Sequence, residues 1–292
     1  MEVKFLVRWV GGKNRLIKDI DERIPKNINE KYDTYVEPFV GGGSVMFYIL
    51  NNYNFKNIYV NDKNKELINL YLAIKEEPQK IFEKIEKLDL RYLSLDSVKK
   101  KEMYYSIRGK YNKIKLEEGK INLEKANLLM FLMRLCFNGV FRVNKKGEMN
   151  TSIGSFLRGS HRRISVNEIF SISELLKKVN FSSVDFGKLE HLINEKTFFY
   201  LDPPYLPEQK NQETIRYTPV EFNEEEQIRL KKFIDKINSK GGKFILSNSD
   251  TEDNFFYELF KEYKIDKVKI KRLISGKKEA RKEINELMIN NF

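Results

Sequence analysis

Short apolar runs alternate with longer stretches whose apolar residues recur every three or four positions, over two separated parts of the chain. The first pattern predicts strands and the second amphipathic helices, so the expected fold is α/β. Strands are expected at Thr34–Glu37, Ile58–Asn61, Phe198–Leu201 and Lys243–Ser247. A last pair, Ile265–Lys271 and Glu286–Ile289, is expected to form an antiparallel edge. Helices are expected at Lys13–Asp21, Ser44–Asn51, Lys65–Ile74 and Glu224–Lys240. The last starts at Asn223, a good N-cap, has Glu224 to Glu226 where the helix dipole favours them, and stops at Gly241-Gly242.

From Glu77 to Arg163 the alternation lapses. Helical patterns dominate at Gln79–Leu88, Ser97–Lys113 and Glu124–Phe137, followed by the Gly- and Asn-bearing stretch Asn138 to Gly159. The pattern predicts a domain inserted at 77–163, between catalytic-domain segments 1–76 and 164–292.

Composition narrows the function. The chain has 292 residues, 41% of them apolar, which suits a globular fold with a full core. No run approaches the ~18 to 20 apolar residues of a membrane span. Met1 to Val10 mixes charges with apolar residues and lacks a signal-peptide pattern, so a cytoplasmic protein without membrane contact is expected. A single cysteine, Cys136, and two histidines, His161 and His191, leave little for a disulfide, a metal cage or a Ser-His-Asp triad, and no metal is expected. The net charge of +12 favours a polyanionic partner, although a Lys-, Asn- and Ile-rich genome would give the same bias. Clustering favours the partner: Ser97 to Asn150 holds 13 basic and 5 acidic residues, and Lys264 to Lys282 holds 9 and 2.

The sharpest chemical motif is Asp202-Pro203-Pro204-Tyr205, directly after a predicted strand. Ligands in open α/β sheets bind beyond the carboxyl ends of strands. The prolines stiffen the loop and leave carbonyls without neighbouring N–H donors. A carboxylate, a free carbonyl and an aromatic ring suit an exocyclic amine on a flat base. That amine's lone pair is delocalised into the ring. If Asp202 and the Pro203 carbonyl each accept one amine hydrogen, the nitrogen turns toward tetrahedral geometry and its lone pair is freed for attack on a methyl sulfonium. Tyr205 can stack on the base, which must leave the duplex to arrive there. An ordinary strand-to-loop turn is the competing reading.

Glu37-Pro38-Phe39-Val40-Gly41-Gly42-Gly43-Ser44 lies between a predicted strand and helix. Its glycines permit close backbone approach to a ligand at a helix N-terminus. The spacing is neither that of a Walker loop nor of the dinucleotide fingerprint. Asp62, at the next strand end, can bind a ribose hydroxyl pair or serve as a helix N-cap. Near the start, Lys13 follows two glycines and can reach the carboxylate of a bound amino-acid moiety, with Trp9 covering apolar parts; core packing is the alternative for Trp9. Phe137 to Gly147 reads as a helix end, a turn and a β-hairpin carrying cations.

The ordered motifs R-W-V-G-G-K (Arg8–Lys13), E-P-F-V-G-G-G (Glu37–Gly43), V-N-D (Val60–Asp62), F-N-G-V-F-R-V-N (Phe137–Asn144) and D-P-P-Y (Asp202–Tyr205) resemble the Dam-like, α-class N6-adenine DNA methyltransferases. The resemblance runs from Arg8 to Asn290. It implies a Rossmann-like methyltransferase sheet with an inserted, mostly helical target-recognition domain containing the β-hairpin. It implies S-adenosylmethionine as methyl donor, held by Trp9, Lys13, Glu37, Pro38, Phe39, Gly41, Gly43, Asp62 and Asp202. Asp202, Pro203 and Tyr205 become the catalytic corner. In the hairpin, Phe137 wedges into the base stack, and Val140 and Arg142 touch base edges, with core packing the alternative for Phe137. Lys145 and Lys146 bind phosphates, and Asn138 and Asn144 share the DNA face. The tail, Arg272-Leu273-Ile274 and Asn285 to Asn290, is similar to the family's final strands.

Two departures bear on the recognition sequence. Glu148 to Gly154 replaces the family's F-N-V-P-F-G, and Ile274-Ser275-Gly276 differs from its I-N-S. GATC is the expected site, with CATG or a longer site as alternatives. N4-cytosine is the enzymatic alternative; those enzymes favour serine where Asp202 stands. An idle DNA-binding module is the non-enzymatic one. The expected partner is duplex DNA, a monomer suffices, and the role is protection against a paired restriction endonuclease or marking of DNA for repair or regulation.

Overall fold

A computed structural model describes residues 7, 9, 11–154, 163–206, 222–271 and 283–292. Arg8, His161, Arg162 and the Arg272 to Gly276 stretch lie outside the described residues.

In chain order the elements are α1 (Ile17–Arg23), α2 (Ile28–Lys31), β1 (Thr34–Glu37), α3 (Ser44–Asn52), β2 (Asn57–Asn61), α4 (Lys65–Glu76), α5 (Pro78–Leu93), α6 (Ser97–Lys113), α7 (Leu123–Leu135), α8 (Val166–Leu176), β3 (Val179–Ser182), β4 (Thr197–Leu201), α9 (Glu224–Ser239), β5 (Lys243–Ser249), α10 (Phe255–Leu259), β6 (Lys264–Lys271) and β7 (Glu283–Asn290). Among the described residues, seven strands form one mixed sheet in the order β3-β2-β1-β4-β5-β7-β6. β1 to β5 pair in parallel, and β7 runs antiparallel between β5 and β6. The expected antiparallel pair is therefore present, but only β6 is an edge.

The central strands β1, β2, β4 and β5 are buried along most of their length because both faces of the sheet are covered there. Tyr35, Ile58, Phe198, Tyr200 and Ile245 face the core shared with α3, α4 and α7. Val36, Phe199, Leu201, Phe244 and Leu246 face the core shared with α9 and α10. α9 is capped by the Asn223 side chain, which accepts the Glu226 N–H, and Gly241 beyond it adopts φ 81.

Residues 77–154 contribute no strand to the sheet. α7 packs on α4, α5 and α6, and α5 also packs on α8. The apolar residues of α5–α7 are continuous with the core on one side of the sheet. α7 is buried nearly all round, which its apolar sequence requires. Asp89 of α5 and Arg134 of α7 form a buried bidentate pair at 2.9 and 3.1 Å. No regular hairpin follows α7. Residues 137–139 make one 3-10 turn, with Asn138 at φ 52 and Gly139 at φ 66. The two arms form isolated bridges, Cys136 with Ile153 and Val143 with Met149, and single hydrogen bonds such as Asn150 N–H to the Arg142 carbonyl at 3.0 Å. Two successive left-handed residues cannot continue a ladder, which is why the expected hairpin is irregular.

Candidate active site

The chain winds outward from β1 to β2 and β3, then returns to place β4 beside β1. The carboxyl ends of β1, β2 and β4 deliver Glu37, Asp62 and Asp202 around this switch point, where α/β sheets bind ligands.

The glycine loop after β1 is held from several sides. Asp62 accepts the Gly41 N–H at 2.9 Å and the Asn64 N–H at 2.8 Å. Asn64, not Asp62, caps α4, accepting the Glu66 and Leu67 amides. Tyr71 of α4 donates its hydroxyl to the Gly41 carbonyl at 2.8 Å, and Asn61 donates to the Pro38 carbonyl at 3.0 Å. Phe39 packs on Phe186 and Phe222. A Cβ on Gly42 would lie 2.6 Å from the Trp9 Cβ, and one on Gly43, at φ 68, would lie 2.7 Å from the Tyr71 hydroxyl. Glycine is required at Gly42 because Trp9 lies directly on the loop, and at Gly43 because of its left-handed backbone and the Tyr71 and Met46 side chains against it.

Lys13 is buried, and its Nζ lies 2.8 Å from Asp202 Oδ2, 3.9 Å from Glu286 Oε2 and 4.7 Å from the Tyr205 ring centre. The Tyr205 hydroxyl donates to Glu286 at 3.0 Å. Sequence reasoning aimed Lys13 at a ligand carboxylate; here it holds the Asp202 carboxylate. It also missed Glu286, whose signal is an acid directly before the apolar run Leu287–Ile289 of β7. Of the two prolyl carbonyls expected to be free, that of Pro204 is taken by Gln227 Nε2 at 3.1 Å. Among the described residues no donor occupies the Pro203 carbonyl.

Burial raises the pKa of all three strand-end carboxyls. For Asp202 it outweighs the opposing Lys13, and for Asp62 the amides of Asn64 and Gly41. Glu37 is raised well above its ordinary value by burial, against a 2.6 Å hydrogen bond from Tyr35, with Asp202 and Asp62 adding repulsion. The site is an acidic basin holding one buried lysine, under an indole and beside a glycine loop. That donor set fits a ligand with cationic, ribose and amino-acid parts.

The other candidate residues form an exposed rim. Phe137 is 51% exposed, although core packing was its alternative; Asn138, Arg142, Lys145 and Lys146 are exposed, and Val140 is half-buried. Arg142 donates through Nε to Asn150 at 2.9 Å. Asn144 closes the turn internally, accepting the Lys146 and Glu148 amides. Between the rim and the basin, buried Phe141 stacks on Trp9 with ring centres 5.5 Å apart. Trp9 thus contacts both parts of the candidate site.

Comparison with known proteins places these features in context. The family described as D12 class N6 adenine-specific DNA methyltransferase matches residues 9–274. The chain is 38% identical to the type II methyltransferase M.MjaIII of Methanocaldococcus jannaschii, over 100% of both chains. It is 30% identical to the type II methyltransferase M1.LlaDCHI of Lactococcus lactis, over 98% of this chain and 94% of that one. It is 27% identical to the DNA adenine methylase of Escherichia coli K12, over 97% and 93%.

Proposed function

The chain belongs to the D12 class of N6 adenine-specific DNA methyltransferases, and from that premise we propose that it methylates an extruded adenine within GATC through the corner Asp202 to Tyr205. The observation that carries this reading is the placement of that corner at the switch point, with Lys13 ion-paired to Asp202 and no donor among the described residues on the Pro203 carbonyl. Asp202 and the Pro203 carbonyl accept the two amine hydrogens and orient the nitrogen lone pair. Tyr205 stacks on the base, and its hydroxyl bond to Glu286 fixes the ring. The target amine competes with Lys13 for Asp202, and Glu286 stands ready as the second counter-ion of that lysine.

S-adenosylmethionine, when bound, supplies an electrophilic methyl on a sulfonium. Trp9, Lys13, Glu37, Pro38, Phe39, Gly41, Gly43, Asp62 and Asp202 would hold it. Asp62 retains free lone pairs for a ribose after its two amide bonds. The raised carboxyl pKa values have a consequence. A cationic ligand favours the ionised carboxylates, so cofactor binding should release protons and tighten as pH rises through the raised values. Calorimetry in buffers of different ionisation enthalpy reads this directly; proton uptake would contradict it. A group whose folded pKa is raised contributes stability that is lost as pH rises. Glu37→Gln should therefore raise the melting temperature of the cofactor-free protein at neutral pH. It should weaken cofactor binding on the order of tenfold, one charge-assisted interaction.

Residues 77–163 act as the target-recognition insert, with Phe137 wedged in the stack and Arg142 reading a guanine through O6 and N7. Val140 touches a base edge, Lys145 and Lys146 take phosphates, and Asn138 and Asn144 shape the DNA face. Arg142→Ala should cost roughly 1–3 kcal/mol at one guanine and relax preference there, with the rate at other sites less changed. Sequencing methylated adenines in a random duplex library tests both statements. GATC as the wild-type context supports the reading, another context overturns it, and an unchanged preference in the variant removes Arg142 from readout. The type II names of two relatives support pairing with a restriction endonuclease.

A further inference from the structure

Behind the Pro204 carbonyl lie Gln227 of α9 and the strand end Ser247-Asn248-Ser249, and Asn248 and Gln227 are fully buried polar side chains. They form one directed chain. The Ser249 N–H donates to Asn248 Oδ1 at 2.9 Å, Asn248 Nδ2 donates to Gln227 Oε1 at 3.1 Å, and Gln227 Nε2 donates to the Pro204 carbonyl at 3.1 Å. Ser249 Oγ adds a second hold, donating to the Leu206 carbonyl at 3.3 Å. The chain begins at a backbone N–H, which only donates, and ends at a carbonyl, which only accepts. The polarity of both amides is thereby forced. Burying two amides is costly unless each is satisfied, and an apolar pair would pack as well. Asparagine is also a poor residue for a buried strand. The arrangement therefore does something other than fill space.

We propose that Gln227 and Asn248 are positioning residues for methyl transfer. Their relay occupies the Pro204 carbonyl and fixes the peptide planes of the Pro203–Tyr205 turn. The Pro203 carbonyl is thereby left as the acceptor for the target amine. This rests on the reading that the Pro203 carbonyl takes one amine hydrogen.

Two isosteric substitutions break the polarity while keeping the volume. In Asn248→Asp, the donor toward Gln227 becomes an acceptor, and Gln227 can satisfy it only by turning its own oxygen onto the Pro204 carbonyl. In Gln227→Glu, the bond from Asn248 survives, but a carboxylate oxygen faces Pro204. Both defects depend on ionisation, because a protonated carboxyl donates again and restores the chain. Burial raises the pKa of such a carboxyl into an accessible range.

The test measures kcat on a duplex substrate and S-adenosylmethionine affinity for wild type and both variants, below the lowest melting temperature, between about pH 6 and about pH 8.5. A misplacement of about 1 Å costs roughly 10²-fold, so each variant should show that deficit in kcat at the alkaline end. The ratio to wild type should recover on acidification, while cofactor affinity stays near the wild-type value. A merely structural defect, which acid would also relieve, would lower cofactor affinity together with kcat. Wild-type kcat in both variants across the range overturns the relay, as does a deficit independent of pH. Failure of the wild type to methylate adenine would instead overturn the reading beneath it.

Discussion

Asp202→Ala is expected to lower the rate of methyl transfer by roughly 10³-fold or more, the scale seen when a positioned acceptor or donor at the reacting atom is removed. The fold should survive. Asp202 is a partly buried carboxylate whose pKa burial raises, so its removal relieves a desolvation cost. Lys13 does not lose its environment, because Glu286 lies 3.9 Å away and the Gly11 carbonyl accepts from Nζ at 3.1 Å. The melting temperature should move by no more than about 2–4 °C, the shift that ~1 kcal/mol gives in a chain of this size. Labelled-methyl transfer to duplex DNA, read beside a thermal melt, separates the two effects. Full turnover by the variant would remove Asp202 from the chemistry.

Asp89→Ala carries the largest expected effect on stability. Asp89 is 1% exposed and pairs in two-pronged geometry with Arg134, whose side chain is 7% exposed. Truncating one member of such a pair removes both charge-assisted bonds between them in the interior, at a cost of roughly 3–5 kcal/mol. Total stabilities are about 5–15 kcal/mol, so the variant should lose a large fraction of its stability in urea. Replacing both residues with apolar ones of similar volume should recover most of it, because a buried pair gains little net energy over good packing. A loss below ~1 kcal/mol in the single variant would show that the interior re-solvates there. The pair also has a functional consequence. Arg134 is next to the last residue of α7, and the exposed Phe137 turn follows directly. Loosening this anchor should weaken DNA binding before it touches cofactor binding.

Much of the sheet was legible because its central strands are short β-branched and aromatic stretches ending in unusual residues; β1, Thr34 to Glu37, was located to the residue. What failed was short or long-range. α8 was missed although Ser165-Val166-Asn167-Glu168 spells a capping box, and both of its reciprocal bonds form. β3 was missed because Val179-Asn180-Phe181-Ser182 alternates apolar and polar residues at the sheet edge, and α10 is too brief for periodicity to show. The position of β7 inside the sheet depends on pairing partners, which local pattern does not encode. The candidate site divides the same way. Its motifs were visible because each sits at a strand end with unusual residues. The contacts between them were not: Lys13 with Asp202, Tyr205 with Glu286, and Trp9 with Phe141 join residues far apart in the chain. Asn64 takes the cap that was the competing reading for Asp62, because its side chain sits one residue before α4, the geometry that N-capping needs.

The most direct test of the central claim identifies the atom that receives the methyl group. Duplex DNA is incubated with the protein and S-adenosylmethionine labelled in its methyl, then digested to nucleosides and separated. A corner built to hold an adenine amine puts the label in N6-methyldeoxyadenosine. Label in N4-methyldeoxycytidine, or transfer confined to RNA, would contradict it.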